Sequence, residues 1–149
     1  MIFRLPAAVL FAALLFAASV AHGEVRITDA WVRATVAQQK ATAAFMKITS
    51  TVDARLVEVR SAVAGEAEIH ETTMDGERMK MRAIPSLPLP AGATVELKPG
   101  GHHIMLLNLS AQIEESGATS LTLIIETASG ERQTINIDAP ARALRKHGR

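Results

Sequence analysis

From residue 25 onward the chain is built of short apolar runs rich in Val, Ile, Leu and Thr, each of strand length and each closed by turn residues. The runs are Val25–Arg33, Ala43–Thr49, Leu56–Ser61, Ala67–Thr73, Arg78–Ile84, Thr94–Lys98, His102–Leu109, Leu121–Thr127 and Arg132–Asp138. Asp75-Gly76 and Ser129-Gly130 stand where tight hairpin turns are expected, because glycine tolerates positive φ. Pro85, Pro88 and Pro90 make 84–92 an extended connector rather than a central strand, since proline has no ladder donor. Pro99-Gly100-Gly101 marks another turn. No run carries a long helical periodicity, although Ala111–Gly117 is expected to form a short helical turn. Eight or nine strands at this spacing predict one all-β domain, an antiparallel Greek-key β-sandwich.

The first 23 residues have a different character. Arg4 supplies a positive start, Ala7 to Ala18 is apolar, and small residues follow, with cleavage expected after Ala21 or Gly23. The apolar run is shorter than the roughly 20 residues of a spanning helix, so an exported signal peptide is the reading and no stable membrane insertion is expected. Three segments result: a signal peptide at 1–23, a β-sandwich at 24–139 and a basic tail at 140–149. Loss of Arg4 leaves 15 basic and 15 acidic residues. The tail holds Arg142, Arg145, Lys146 and Arg149 without an acid, and reads as a solvated segment. The body is therefore mildly acidic and has only Trp31 and Phe45 as aromatics, which excludes a nucleic-acid surface. Trp31 is expected to anchor the core.

The chain has no cysteine. Disulfides, cysteine-ligated zinc, iron–sulfur clusters, thiol nucleophiles and thiolate copper centres are all excluded. What it has instead is methionine. Met74, Met79, Met81 and Met105 fall within 36 residues together with His70, His102 and His103. With Asp75-Gly76 as a two-residue loop, His70 faces Met81 and Thr72 faces Met79 across the hairpin, with Cβ atoms about 4.5–5.5 Å apart. His103 and Met105, two apart in a strand, share a face, whereas His102 points the other way. If the proline-rich connector brings 101–107 beside the hairpin, two nitrogen and two sulfur ligands can converge on one ion. Thioethers are soft and uncharged, favouring Cu(I) and offering little to zinc, calcium or magnesium. A His/Met set also survives an oxidising compartment.

His70, Met81 and His103-Ile104-Met105 reproduce the spacing H-x10-M-x21-H-x-M. Together with Glu68-Ile69-His70-Glu71, Met79-Lys80-Met81-Arg82 and Lys98-Pro99-Gly100-Gly101, this resembles the periplasmic copper chaperone family called PCuAC, from about Ile27 to Asp138. The resemblance implies a cupredoxin-like β-sandwich that binds one Cu(I) through His70, Met81, His103 and Met105. It also implies delivery of copper to the copper-site subunit during cytochrome c oxidase assembly, alongside a Sco-type protein, in the periplasm. A monomer is expected. Met79, diagonal to His70 on the expected hairpin, is left as an alternate or entry ligand and Met74 without an assigned role, and His147 alone in the tail argues against a second copper site there. His22 is relevant only if cleavage after Ala21 exposes it.

Three other readings compete. Methionine often fills irregular core gaps, so the same β-sandwich could be a non-metal adhesion or assembly module. Copper storage or resistance would use the same ligand chemistry. An enzyme is the weakest reading, because no nucleophile elbow or paired-carboxylate motif is present and two thioethers disfavour a Cu(II) oxidase.

Overall fold

The computed structural model describes residues 23–143. The signal segment through His22, and Arg145, Lys146, His147 and Arg149 of the tail, lie outside the described residues. Ten strands follow one another: β1 (Val25–Arg33), β2 (Ala41–Ser50), β3 (Ala54–Arg60), β4 (Ala64–Asp75), β5 (Arg78–Ile84), β6 (Leu87–Leu89), β7 (Thr94–Leu97), β8 (His103–Leu109), β9 (Ala118–Thr127) and β10 (Arg132–Arg142). They hydrogen-bond in the order β5-β4-β8-β2-β1-β10-β9-β3-β6, and β7 adds to β2. The all-β expectation holds. The pairing is antiparallel with one exception: β1 and β10 run parallel at Val32–Ala141 and Arg33–Arg142. Parallel neighbours need a long intervening connection, and here the rest of the domain supplies it.

Two halves fold over one core. Ala44, Met46, Ile69, Ile104 and Leu106 come from the β5-to-β1 half, and Leu56, Val59, Leu121, Leu123 and Ile125 from the other. Strand alternation sends the intervening residues of the first half to its outer face. In β8, Ile104 and Leu106 are fully buried in the core while His103 and Met105 face away from it. Met46, opposite Leu97, is the one methionine of the core among the described residues.

Several sequence expectations need revision. The basic tail does not begin at 140: Pro140 to Arg142 continue β10, with Ala141 buried against the core. The helical turn expected over 111–117 is reduced to one tight turn, in which the Gly117 amide donates to the Glu114 carbonyl, and no helix forms. Ile113 is buried there and its amide bonds the Thr35 hydroxyl, which pulls that segment into the core as irregular chain. Trp31 is not a core anchor. A bulge between Thr28 and Trp31, with Asp29 at φ 52°, adds one residue to β1 and reverses its alternation. Ile27 and Val32 therefore both face the core, and Trp31 turns outward onto Phe45. The proline-rich connector is not a central strand: its Leu87–Leu89 forms only the short edge strand β6, although Leu87 and Leu89 are themselves buried in the core.

Candidate metal centre

The hairpin β4–β5 carries the first pair of predicted ligands, and its register differs from the one expected. His70 is opposite Ala83, Thr72 opposite Met81, and Met74 opposite Met79. The loop residues are Gly76 and Glu77 rather than Asp75 and Gly76. Gly76 has φ 64°, the conformation that a type II′ loop reserves for glycine at its first central position. The slip is two residues, so every side chain keeps its face. His70 and Met81 are diagonal neighbours on one face instead of direct partners.

Across β4 lies β8, where His70 is directly opposite His103 and Glu68 opposite Met105. The two imidazoles are 5.5 Å apart between centroids, and Phe45 of β2 flanks His103 at 6.4 Å. Trp31 then stacks on Phe45 at 4.6 Å. A row of four rings thus crosses the outer face. Arg33 lies over Phe45 and Arg142 over Trp31, placing cations over the aromatic end of the row.

The hydrogen bonds fix which nitrogen each histidine leaves bare. His103 Nδ1 is 3.0 Å from the Gly101 carbonyl, which can only accept, so Nδ1 carries the proton. His70 Nε2 is 2.6 Å from Glu68 Oε2 and donates to that carboxylate. The remaining nitrogens, His103 Nε2 and His70 Nδ1, are buried without a hydrogen-bond partner. Two buried, unpartnered acceptors on adjacent rings are costly. The arrangement is the one metal-binding histidines use: neutral ring, second nitrogen held by a carboxylate or carbonyl. Gly101 O also accepts from Thr72 Oγ1 at 3.0 Å. The 98–101 turn, with Gly100 at φ 82°, is thereby tied to the hairpin beside His103.

His103 and Met105 line a cleft of about 350 Å³ together with Met79, Met81, Phe45 and Pro99. His103 is only 3% exposed, whereas Met81 is 56% exposed. The cleft therefore has an imidazole at its base and thioethers toward solvent. His70 reaches this group through its ring contact with His103. Met74 lies farther out at the hairpin end, 63% exposed. His102 precedes β8, and its carbonyl accepts from the Lys98 amide. No group of three or more His, Cys, Asp and Glu forms a metal site among the described residues. A four-ligand centre here has to include thioethers.

Sequence reasoning did not assign roles to Glu68, Phe45 or the Gly101 carbonyl. Glu68 was within reach of it, because a residue two before His70 in a strand shares its face. Replacing Glu68 with Ala removes the acceptor that orients His70. Metal affinity is expected to fall by about 10–100-fold, the usual effect of losing such a partner. Competition titration of the variant against the parent protein checks this.

Residues 25–140 match the family described as "Putative lipoprotein LpqE-like". A curated relative from Leifsonia xyli subsp. xyli, "Putative lipoprotein Lxx21020", is 36% identical over 100 residues. That match takes in 66% of this chain and 60% of the relative's length. Among solved structures, the copper-bound PCuAC domain from PmoF2 is 23% identical, with 82% of this chain and 98% of that one covered and a TM-score of 0.63. The Cu(I) form of DR1885 from Deinococcus radiodurans is 27% identical over 78% of this chain and 77% of that one, with a TM-score of 0.60. The cupredoxin-like architecture expected from the sequence is thus the one these domains have. Matched over nearly the whole of its described sheet, the chain belongs to the LpqE-like family, with the fold of PCuAC domains.

Proposed function

We propose that the protein is an extracytoplasmic copper carrier that binds one Cu(I) through His70, Met81, His103 and Met105 and releases it by ligand exchange. The observation that carries this reading is the pair of buried, unpartnered nitrogens, His70 Nδ1 and His103 Nε2, on neighbouring tilted rings beside a thioether-lined cleft. Neutral imidazole and thioether form a soft, uncharged donor set suited to Cu(I). The Cu(I)-bound form of DR1885 supports the same choice of ion. Exposure of Met81 lets an incoming ligand attack before the inner donors leave, as a carrier requires. We further propose a periplasmic location, monomeric action, and delivery to the copper-site subunit of cytochrome c oxidase, alongside a Sco-type protein. The carrier performs no catalysis in this reading.

Anaerobic Cu(I) titration against a coloured competing chelator tests the proposal. One tightly held equivalent supports it. Failure to compete for Cu(I) would leave a β-sandwich without the metal function. Transfer from the loaded protein to an isolated oxidase copper-site domain then separates delivery from storage.

A further inference from the structure

Four large apolar side chains stand exposed among the described residues: Val36, Met74, Met79 and Met81. Three of them are methionines on one face of one hairpin. Met74 and Met79 are direct cross-strand partners, and Met81 is two residues beyond Met79, opposite Thr72. Met81 is therefore the diagonal neighbour of Met74. Cross-strand partners have Cβ atoms about 4.5–5.5 Å apart and diagonal ones about 7–8 Å, within reach of flexible thioethers. The opposite face of the hairpin has a different composition. There Glu71 pairs with Arg82 and faces Ile69 and Thr73 along β4, while Lys80 projects from the same side and reaches Asp75 at the end of the hairpin. The hairpin thus presents sulfur on one side and mostly ion-paired polar groups on the other. Met79 and Met81 also line the cleft that holds His103, whereas Met74 lies beyond it.

We propose that Met74, Met79 and Met81 form a second, outer cuprous-ion site made of thioethers alone, which captures the ion and passes it to the cleft. Met81 belongs to both ligand sets. The transfer is a ligand exchange without oxidation or proton transfer: Met81 keeps its bond while Met74 and Met79 are replaced by His103, His70 and Met105. The identity of the ion rests on the copper-carrier reading above. The thioether triangle itself needs no histidine, which makes the two ideas separable.

The test uses purified protein with 13C-labelled methionine methyl groups, titrated anaerobically with Cu(I). It is run in the parent, in His103→Ala, and in His103→Ala carrying Met74→Leu and Met79→Leu. Leucine keeps the apolar bulk at exposed positions, and circular dichroism verifies the fold. The Met74 and Met79 methyl resonances are expected to shift saturably in His103→Ala, and that uptake is expected to vanish with the leucine pair. Silent Met74 and Met79 methyls, or uptake undiminished in the leucine variant, would overturn the outer site. Shifts at Met74 and Met79 with none at Met105 in the parent would support the outer site while removing the four-ligand cleft. The hand-off has its own readout. Release of Cu(I) from the parent to a chelator should be faster than from Met74→Leu/Met79→Leu, and equal rates would overturn it.

Discussion

His103→Ala is expected to weaken Cu(I) binding by at least about a hundredfold, since losing a mere supporting partner of a metal ligand already costs about 10–100-fold. His103 sits at the base of the cleft, its Nε2 buried and bare, its Nδ1 anchored on Gly101 O. Alanine removes the nitrogen and leaves a gap beside Phe45 that no neighbouring donor fills. The gap also lowers the thermal midpoint of the metal-free variant, so affinities are compared at a temperature where both proteins are folded. Competition titration under anaerobic conditions gives the ratio. Unchanged affinity, here and in Met81→Ala, would remove the four-residue assignment.

The second large effect concerns stability and separates two methionines that look alike in the sequence. Met46 is 1% exposed and packs in the core with Leu97, Ile48 and Ile104. Met46→Ala is expected to cost about 2–5 kcal/mol, the transfer loss plus the cavity left in a well-packed interior. Met81 is more than half exposed. Met81→Ala is expected to stay within about 0.5 kcal/mol of the parent, as surface changes do. Urea unfolding of the metal-free proteins checks both. A destabilised Met81→Ala would favour the core-methionine reading of a non-metal module.

Much of this was legible from residue order, for identifiable reasons. Alternation in 103–107 puts Ile104 and Leu106 on one face and His103, Met105 and Leu107 on the other, but both faces are apolar, and only the packed sheet shows that Ile104 and Leu106 meet the core. The hairpin register was not legible. Asp75-Gly76 and Gly76-Glu77 are both acceptable two-residue loops, and local sequence does not choose between them. Because the two differ by an even step, the face assignment survived the error. Trp31 shows the opposite case. One bulge residue at Asp29 inverts the alternation of β1, and no local pattern announces it. The roles of Glu68 and of the Gly101 carbonyl depend on side-chain orientation within the folded sheet, which spacing alone does not carry.

That bulge has an optical consequence. The chain contains a single tryptophan and no tyrosine, and the extra residue in β1 turns its indole out of the core and onto Phe45, the ring adjoining His103. Excited at the red edge of its absorption, the protein emits from one fluorophore, two ring contacts away from the base of the cleft. Occupancy and exchange at that cleft are thereby coupled to an intrinsic probe, and stopped-flow fluorescence can follow them on the unlabelled chain.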